Sequence, residues 1–305
     1  MRRIRLATRG SALAVTQARL VAWLLEQAEP GLGVELQVVR TSGDERPATP
    51  DDKSRWVREI ENALLEGAAE LAVHSAKDVP GELPGGLAIV SVPARADARD
   101  ALCGARSLEQ FPDGARVGTS SLRRRGQLLA TRPDLRVEDL RGNVDTRLRR
   151  LDEGRYDAIV LAQAGLERLG RVEGAPLDPE RITPAPGQGC LALEARSEDR
   201  AAVELAERVQ DPAAALCLAA EHSLVSAIGA SCRTPVGAYA ERVDARLRLS
   251  AFVGLPDGSE WIRDALEGDP AAPAALGLEV AGRLRLAGAE ALLAGAEAAV
   301  AAGAA

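Results

Sequence analysis

Short apolar runs alternate with amphipathic stretches over the first 92 residues, a pattern typical of alternating strands and helices. Ser11 is a candidate N-cap for the first helix, and the polar, proline-containing stretch 41–55 predicts a loop. The β-α-β-α-β order predicts a largely parallel sheet with helices on both faces. The predicted elements are a strand at 4–8, a helix from Ser11 to about Gln27, a strand at 34–40, a helix at about 56–65, a strand that enters LAVHSAKDVPG (71–81) and a strand at 87–92.

The pattern then restarts, which predicts a second α/β domain of similar design. Its elements are predicted as strands at 115–117, 135–138 and 157–162, with helices at 122–130 and 144–151. A Pro/Gly hinge around 182–195 leads into a further strand. From about Pro212 an alanine-rich helix, strands at 236–240 and 245–252, and Ala/Leu helices predict an α+β domain. The expected limits are 1–92 with 192–210 for domain 1, 97–186 for domain 2 and 213–305 for domain 3.

Composition and charge exclude several classes of protein. The chain has 305 residues, of which 46% are hydrophobic and 27% charged, and this mixture is not that of a disordered chain. A net charge of −7 argues against nucleic acid as a partner. The first residues, MRRIRLATRG, contain no apolar signal region, and no stretch approaches the ~18 apolar residues of a membrane span. We therefore expect a cytoplasmic protein without a membrane partner.

Positive charge is concentrated in one part of this acidic chain. Residues 116–150 contain ten arginines and four acidic residues, a local balance of 10 − 4 = +6. Such a local excess predicts anion binding.

Two strand–turn–helix stretches carry arginines at the point where open α/β sheets bind ligands. They are ATRGS (7–11) and GTSSLRRRG (118–126), and RGNVDTRLRR (141–150) adds further arginines before and on a helix. Backbone N–H groups at helix starts favour anions, and guanidinium groups suit carboxylates. Any one of these arginines alone is better explained as a solvated surface residue. The matching pair of turns predicts one polyanionic ligand, and because there is no phosphate loop or dinucleotide fingerprint, its anions are expected to be carboxylates.

The stretch LAVHSAKDVPG ends an apolar run with polar residues. Asp78 is the candidate for acid–base chemistry, because a carboxylate among Lys77, Ser75 and arginines stays ionised yet can exchange protons. The alternative, an Asp that pairs locally with Lys77 in a surface loop, is equally compatible with the spacing. His74 is expected to orient the loop, and His222 to pack.

The four cysteines show neither disulfide nor zinc spacing. Cys103, Cys190 and Cys217 lie in apolar surroundings and are expected to be small buried hydrophobic residues. Cys232, in GASCRTPVG, lies in a small-residue loop beside an arginine, a setting that favours a reactive thiolate.

Seven stretches together resemble the porphobilinogen deaminase family, and they occur in family order across residues 5–240. They are ATRGSALAVTQ, AVHSAKDVP, VGTSSLRRRGQL, LRGNVDTRL, YDAIVLAQAGLERLG, PAPGQGCLALE and CRTPVGAYA. The resemblance implies two α/β domains related in design to periplasmic-type binding proteins, and a third, α+β domain that carries a cofactor cysteine.

The resemblance also implies a reaction. Four porphobilinogen molecules are deaminated and condensed head to tail on a dipyrromethane cofactor that is thioether-linked to the loop cysteine, here Cys232. Hydrolysis then releases linear hydroxymethylbilane. The resemblance further implies that the protein is a monomer and that its product passes to uroporphyrinogen-III synthase.

Family positions transfer residue by residue to this sequence. Asp78 occupies the position of the family's catalytic aspartate. Cofactor binding is implied for Cys232, Ser75, Lys77, Thr119, Ser121, Arg123, Arg124, Arg141 and Arg147. Substrate binding is implied for Arg9, Ser11, Gln17, Lys53 and Arg168.

Two stretches depart from the family pattern. The family has a Gly-Gly-Lys-Gly-x-Phe run as a flexible lid, where this chain is about four residues shorter and reads DDKSRW, with Lys53 and Trp56 as counterparts. Ala230-Ser231 precede Cys232 in place of Gly-Gly. Two alternatives therefore stay open: a deaminase with an impaired lid, and a two-lobed carboxylate or oxyanion receptor without catalysis.

Overall fold

The apolar runs of the sequence form three β-sheets. The computed structural model describes residues 2–41, 57–230 and 234–303. The chain divides into two compact units: unit 1 is Met1–Ala96 with Gly189–Ala215, and unit 2 is Asp97–Gln188 with Leu216–Ala305.

Elements of the described residues are numbered in chain order. The strands are β1 (Arg2–Arg9), β2 (Leu32–Val39), β3 (Leu71–Ser75), β4 (Leu87–Ser91), β5 (Asp100–Cys103), β6 (Arg116–Gly118), β7 (Arg136–Glu138), β8 (Ala158–Ala162), β9 (Ala175–Pro176), β10 (Leu191–Arg196), β11 (Val236–Val243), β12 (Arg246–Gly254) and β13 (Trp261–Gly268). The α-helices are α1 (Ala12–Ala28), α2 (Arg58–Leu65), α3 (Leu122–Thr131), α4 (Val144–Asp152), α5 (Gln163–Arg168), α6 (Arg200–Glu207), α7 (Pro212–Ala227), α8 (Pro273–Leu286) and α9 (Ala289–Ala301).

Unit 1 is built on a five-stranded sheet in the order β2-β1-β3-β10-β4. β1 pairs in parallel with β2 and β3, whereas β10 lies antiparallel between β3 and β4. The residues of α1 that face inward, among them Val21 and Leu25, pack on one face with Leu71 and Leu193. α2 packs through Ile60 and its neighbours on the other face. The sheet is therefore covered by helices on both sides, as the period of the sequence predicts.

The first sheet of unit 2 repeats this design. Its order is β7-β6-β8-β5-β9; β6 is parallel to β7 and β8, and β5 is antiparallel to β8 and β9. The prediction of two similar α/β domains is confirmed. In each sheet one strand, β10 or β5, runs against the others, and it is the first strand after the chain passes from one unit to the other. The sequence pattern predicted the parallel strands but not β5 or its reversed direction.

The C-terminal residues form an antiparallel β11-β12-β13 sheet with α7, α8 and α9 around one apolar core, so the predicted α+β fold is confirmed. β13 was not predicted, because its sequence, WIRDALEG, mixes charged and apolar residues without a clear alternation. In the structure all its residues are exposed or half-exposed. The elements β9, α5 and α6 were missed as well. This sheet falls in unit 2, and the three predicted domain limits stay a prediction.

Within the described chain, no helix has the length and apolarity needed to cross a bilayer.

Candidate functional site

Unit 1 collects polar side chains at the edge where its parallel strands end. Arg9 ends β1, Ser75 ends β3, and the 3-10 turn Ala76–Asp78 follows β3 directly. Because β1 and β3 are parallel, these residues lie at the same edge of the sheet. Ser11 caps α1 by accepting a hydrogen bond from the Ala14 backbone N–H at 3.3 Å, as predicted.

A small cavity of about 30 Å³ opens at this edge. Its polar lining comes from Arg9, Gln17, His74, Ser75 and Asp78. Gln17 is on the buried face of α1, and its Nε2 donates to Ser75 Oγ at 3.0 Å. This volume is enough for at least one water molecule. The structure thus brings four of the predicted residues of unit 1 around one cavity, with Lys77 in the adjoining turn.

Three buried titratable side chains lie on the α2 side of the same strands. The imidazole Nε2 of His74 and Oε2 of Glu194 are 2.9 Å apart, and both side chains are almost wholly buried. Glu61, on α2, is also buried. Burial raises the pKa of Glu61, the charge of Glu194 raises it further, and His74 opposes this shift. Sequence reasoning missed both glutamates. The signal for Glu194 was an acidic residue inside the apolar strand LALEAR, which needs a buried partner.

The corresponding edge of unit 2 carries most of the other predicted residues. β6, β7 and β8 are parallel, and their carboxyl ends lead into α3, α4 and α5. The residues that follow these strand ends are Thr119, Ser121, Arg141, Arg147 and Arg168. Ser121 caps α3 by accepting from the Arg124 backbone N–H at 3.4 Å. Arg141 lies 3.2 Å from Asp139, and Arg147 Nε donates to the Gly142 carbonyl at 2.7 Å.

Arg123 and Arg124 are held in a buried cluster around Asp100. Arg123 Nη1 donates to Asp100 Oδ2 at 2.6 Å, and Arg124 Nη2 donates to Oδ1 at 2.7 Å. Gln188 Nε2 adds a third donor at 2.9 Å. Burial alone would raise the pKa of Asp100, but the charges of Arg123 and Arg124 outweigh burial and hold it well below its usual range.

The cluster contains two guanidinium groups and one carboxylate, so it keeps an excess of positive charge. Arg124 also donates to the Val160 carbonyl at 2.8 Å, and Arg123 to the Thr183 carbonyl at 2.7 Å. Within the described residues, the buried Nε of Arg123 has no hydrogen-bond partner. Sequence reasoning identified the two arginines but not Asp100, whose strand it had not predicted.

Several predicted residues lie outside the described part of the chain. They are Cys232, with its preceding Ser231, and Lys53 with the rest of the shortened loop. The other three cysteines, Cys103, Cys190 and Cys217, are buried, as predicted. Burial raises the pKa of the Cys103 thiol to about 11, which disfavours a reactive thiolate. Among the described residues, no group of three or more His, Cys, Asp or Glu side chains forms a potential metal site.

A solved structure with a similar chain path is a periplasmic substrate-binding protein of an ABC transporter from Coxiella burnetii. It matches with a TM-score of 0.43 at 14% identity, over 70% of this chain and 94% of that chain.

Sequence comparisons cover nearly the whole chain. The family model described as porphobilinogen deaminase, dipyromethane cofactor binding domain, matches residues 4–204, and the model of the C-terminal domain of the same enzyme matches residues 215–285. Porphobilinogen deaminase of Deinococcus radiodurans is 46% identical over 293 residues, which is 92% of this chain and 94% of the relative. The Thermus thermophilus enzyme is 47% identical over 287 residues, 92% of this chain and 95% of the relative. With both family models matched in order and relatives of this identity along almost its full length, the chain belongs to the porphobilinogen deaminase family, whose cofactor is dipyrromethane.

Proposed function

We propose that this chain deaminates and condenses four porphobilinogen molecules into linear hydroxymethylbilane, with Asp78 as its acid–base group. The observation that carries the proposal is the cavity at the end of β3, which Asp78 shares with Arg9, Gln17 and Ser75. Asp78 is half-buried at this cavity, so its carboxylate can exchange a proton with a bound pyrrole.

The residues of unit 2 fit an anionic cofactor. Dipyrromethane carries carboxylate side chains, and the Asp100 cluster has one more guanidinium than carboxylate. Thr119, Ser121, Arg141 and Arg147 would supply further hydrogen bonds and charge at the same edge. When bound, dipyrromethane supplies the free pyrrole carbon to which substrate units are added.

Each group of unit 1 then has a distinct task. The Asp78 carboxylate accepts the pyrrole N–H hydrogen bond and holds or releases a proton at its own oxygen. Arg9 binds carboxylate side chains of the substrate, and Lys77 binds those of the cofactor. Ser75, fixed by Gln17, adds a hydroxyl for the cofactor. Ser11 and Lys53 also bind the substrate, and in unit 2 the same task is proposed for Arg168.

We further propose that Cys232 anchors the cofactor through a thioether. Covalent attachment keeps intermediates on the protein through four additions. The support is the family match together with the burial of the other three cysteines. The family resemblance also supports a cytoplasmic monomer that passes hydroxymethylbilane to uroporphyrinogen-III synthase. Size-exclusion chromatography with light scattering tests the monomer.

Intact mass spectrometry and turnover of the purified protein test the function together. We expect a mass that exceeds the sequence mass by one dipyrromethane, and ammonia release from porphobilinogen. A protein that binds porphobilinogen without releasing ammonia would instead be a carboxylate receptor. A protein that carries the cofactor but turns over slowly would be a deaminase with an impaired lid.

A further inference from the structure

A buried imidazole–carboxylate pair lies beside the candidate site and has no task in the proposed reaction. β3 and β10 pair antiparallel, with His74 opposite Ala192 and Glu194 opposite Ala72. His74 and Glu194 are therefore diagonal neighbours on one face of the sheet, which explains the 2.9 Å contact between Nε2 and Oε2.

The contact determines which ring nitrogen carries a proton. A carboxylate only accepts hydrogen bonds, so an ionised Glu194 keeps the proton of His74 on Nε2. The other nitrogen, Nδ1, has no hydrogen-bond partner among the described residues. It is therefore the ring atom that can take up and return a proton.

His74 and Asp78 are both among the residues that line this cavity. At about 30 Å³, this cavity has room for one water molecule with several polar neighbours. A single water is enough to carry a proton between two groups that do not touch.

We propose that His74 and Glu194 form a proton relay for Asp78, in which His74 is the relay group and Glu194 is a positioning residue. The relay rests on the proposed role of Asp78. In each condensation a C–N bond breaks, a C–C bond forms, and the attacking pyrrole carbon loses one proton. Asp78 takes that proton and passes it through the cavity to Nδ1 of His74. His74 returns it, and it leaves on the released ammonia as ammonium, so no oxidant or reductant is needed.

Burial of the pair makes Glu194 necessary for this task. An imidazolium in an almost fully buried position is costly unless a carboxylate faces it, and Glu194 supplies that charge at 2.9 Å. A neutral glutamine at the same place still accepts the Nε2 hydrogen bond, but it does not balance a positive ring. The Glu194→Gln variant therefore separates the charge of the partner from its hydrogen bond.

The first test is nitrogen-15 NMR of the holoprotein, which reads the tautomer of His74 directly. The chain has only two histidines, so a His222→Gln variant assigns the His74 signals. We expect a protonated Nε2 in the resting enzyme. A ring with its single proton on Nδ1 overturns the relay, even if the substituted variants fail to fold.

The second test is the kinetics of single and double variants. His74→Gln and Glu194→Gln should each lower kcat on the order of 10-fold with KM unchanged, which is less than the loss typical of a direct acid–base group. The double variant should lose no more than either single one, because the two residues act as a unit. Glu198→Gln, an exposed carboxylate just after β10, is the matched control.

The outcomes also separate the relay from the proposed function. Wild-type kcat in both single variants, or additive losses in the double variant, would overturn the relay. If Asp78→Asn keeps wild-type turnover, the role of Asp78 fails instead, whatever the tautomer of His74.

Discussion

Asp78 illustrates how the chemistry of a single residue depends on its neighbours. Its carboxylate follows a buried strand and shares a cavity with Arg9, while Gln17 fixes the hydroxyl of Ser75 on another wall. These neighbours supply positive charge and hydrogen bonds without closing the carboxylate off from a ligand.

We predict that Asp78→Asn lowers turnover of porphobilinogen by about 10² or more, because the amide keeps the size of the side chain but cannot take up a proton. Ammonia release measured at saturating substrate checks this. Intact mass should show the cofactor still attached. Glu82→Gln, an exposed acid four residues away, is the control and should retain wild-type turnover. Comparable rates for both variants would remove Asp78 from the mechanism.

Glu61 contributes to stability in a way that depends on pH. Burial and the charge of Glu194 raise its pKa in the folded protein above the usual value. Between the unfolded and folded pKa values, the folded state binds more protons than the unfolded state. The contribution of Glu61 to stability is therefore complete below the unfolded pKa and is lost as the pH rises through the folded pKa.

The variant Glu61→Gln should remove this dependence. We expect its free energy of unfolding to change less than that of the wild type as the pH rises above about 4.5, the usual value for Glu. At neutral pH it should be at least as stable as the wild type. Urea unfolding at a series of pH values measures both quantities, with exposed Glu66→Gln as the control. Parallel wild-type and Glu61→Gln curves would contradict this assignment.

At the scale of elements, the site depends on how α3 is attached to its sheet. Asp100, at the start of β5, accepts from Arg123 and Arg124 on α3. Gln127, one turn further along α3, donates to the Thr183 carbonyl at 2.9 Å and accepts from the Thr183 backbone N–H at 2.7 Å. These contacts fix the N-terminus of the helix, where Thr119 and Ser121 lie.

We predict that Asp100→Asn destabilises the protein by about 3–5 kcal/mol, because it leaves two buried guanidinium groups without a carboxylate. Chemical denaturation followed by circular dichroism measures the loss. Asp134→Asn is the control: Asp134 pairs with Arg132 at 2.7 Å just after the same helix, but in an exposed position, so its removal should matter little. An equal loss of unfolding free energy in the two variants would mean that the Asp100 cluster stabilises the protein no more than an exposed ion pair does.

The elements also show what local sequence can and cannot predict. The hydrophobic period located β1, α1, β6 and α3 and their polar ends, because these features are set by residues close together in the chain. It did not locate β5, whose four residues are all buried and carry no alternation. The partners Asp100 and Glu194 were missed for a related reason: they meet Arg123 and His74 across 23 and 120 residues of chain. Only the sheet topology brings these residues together.

At the scale of the whole molecule, the two α/β sheets share one strand order but carry different chemistry. Unit 1 has the carboxylate Asp78 and the histidine–glutamate pair at the ends of its strands. Unit 2 has arginines and hydroxyl groups at the equivalent places. Glu221, on α7, accepts from the backbone N–H groups of Gly187 at 2.6 Å and Ala240 at 2.7 Å, so it connects β11 of the C-terminal sheet to the loop before β10. Proton chemistry is therefore proposed for unit 1 alone, whereas both units contain residues proposed to bind anions.

The proposed attachment of the cofactor to Cys232 gives a prediction for the entire protein. A thioether needs an accessible, reactive sulfur, and the three other cysteines are buried. Cys232→Ser should therefore have the mass of the bare sequence and no turnover, whereas Cys190→Ser should keep the dipyrromethane increment. Intact mass spectrometry of both proteins decides this, because serine preserves size in each case and changes only the sulfur. An increment that persists in Cys232→Ser would place the anchor at another side chain, and peptide mapping of the modified protein would then locate it.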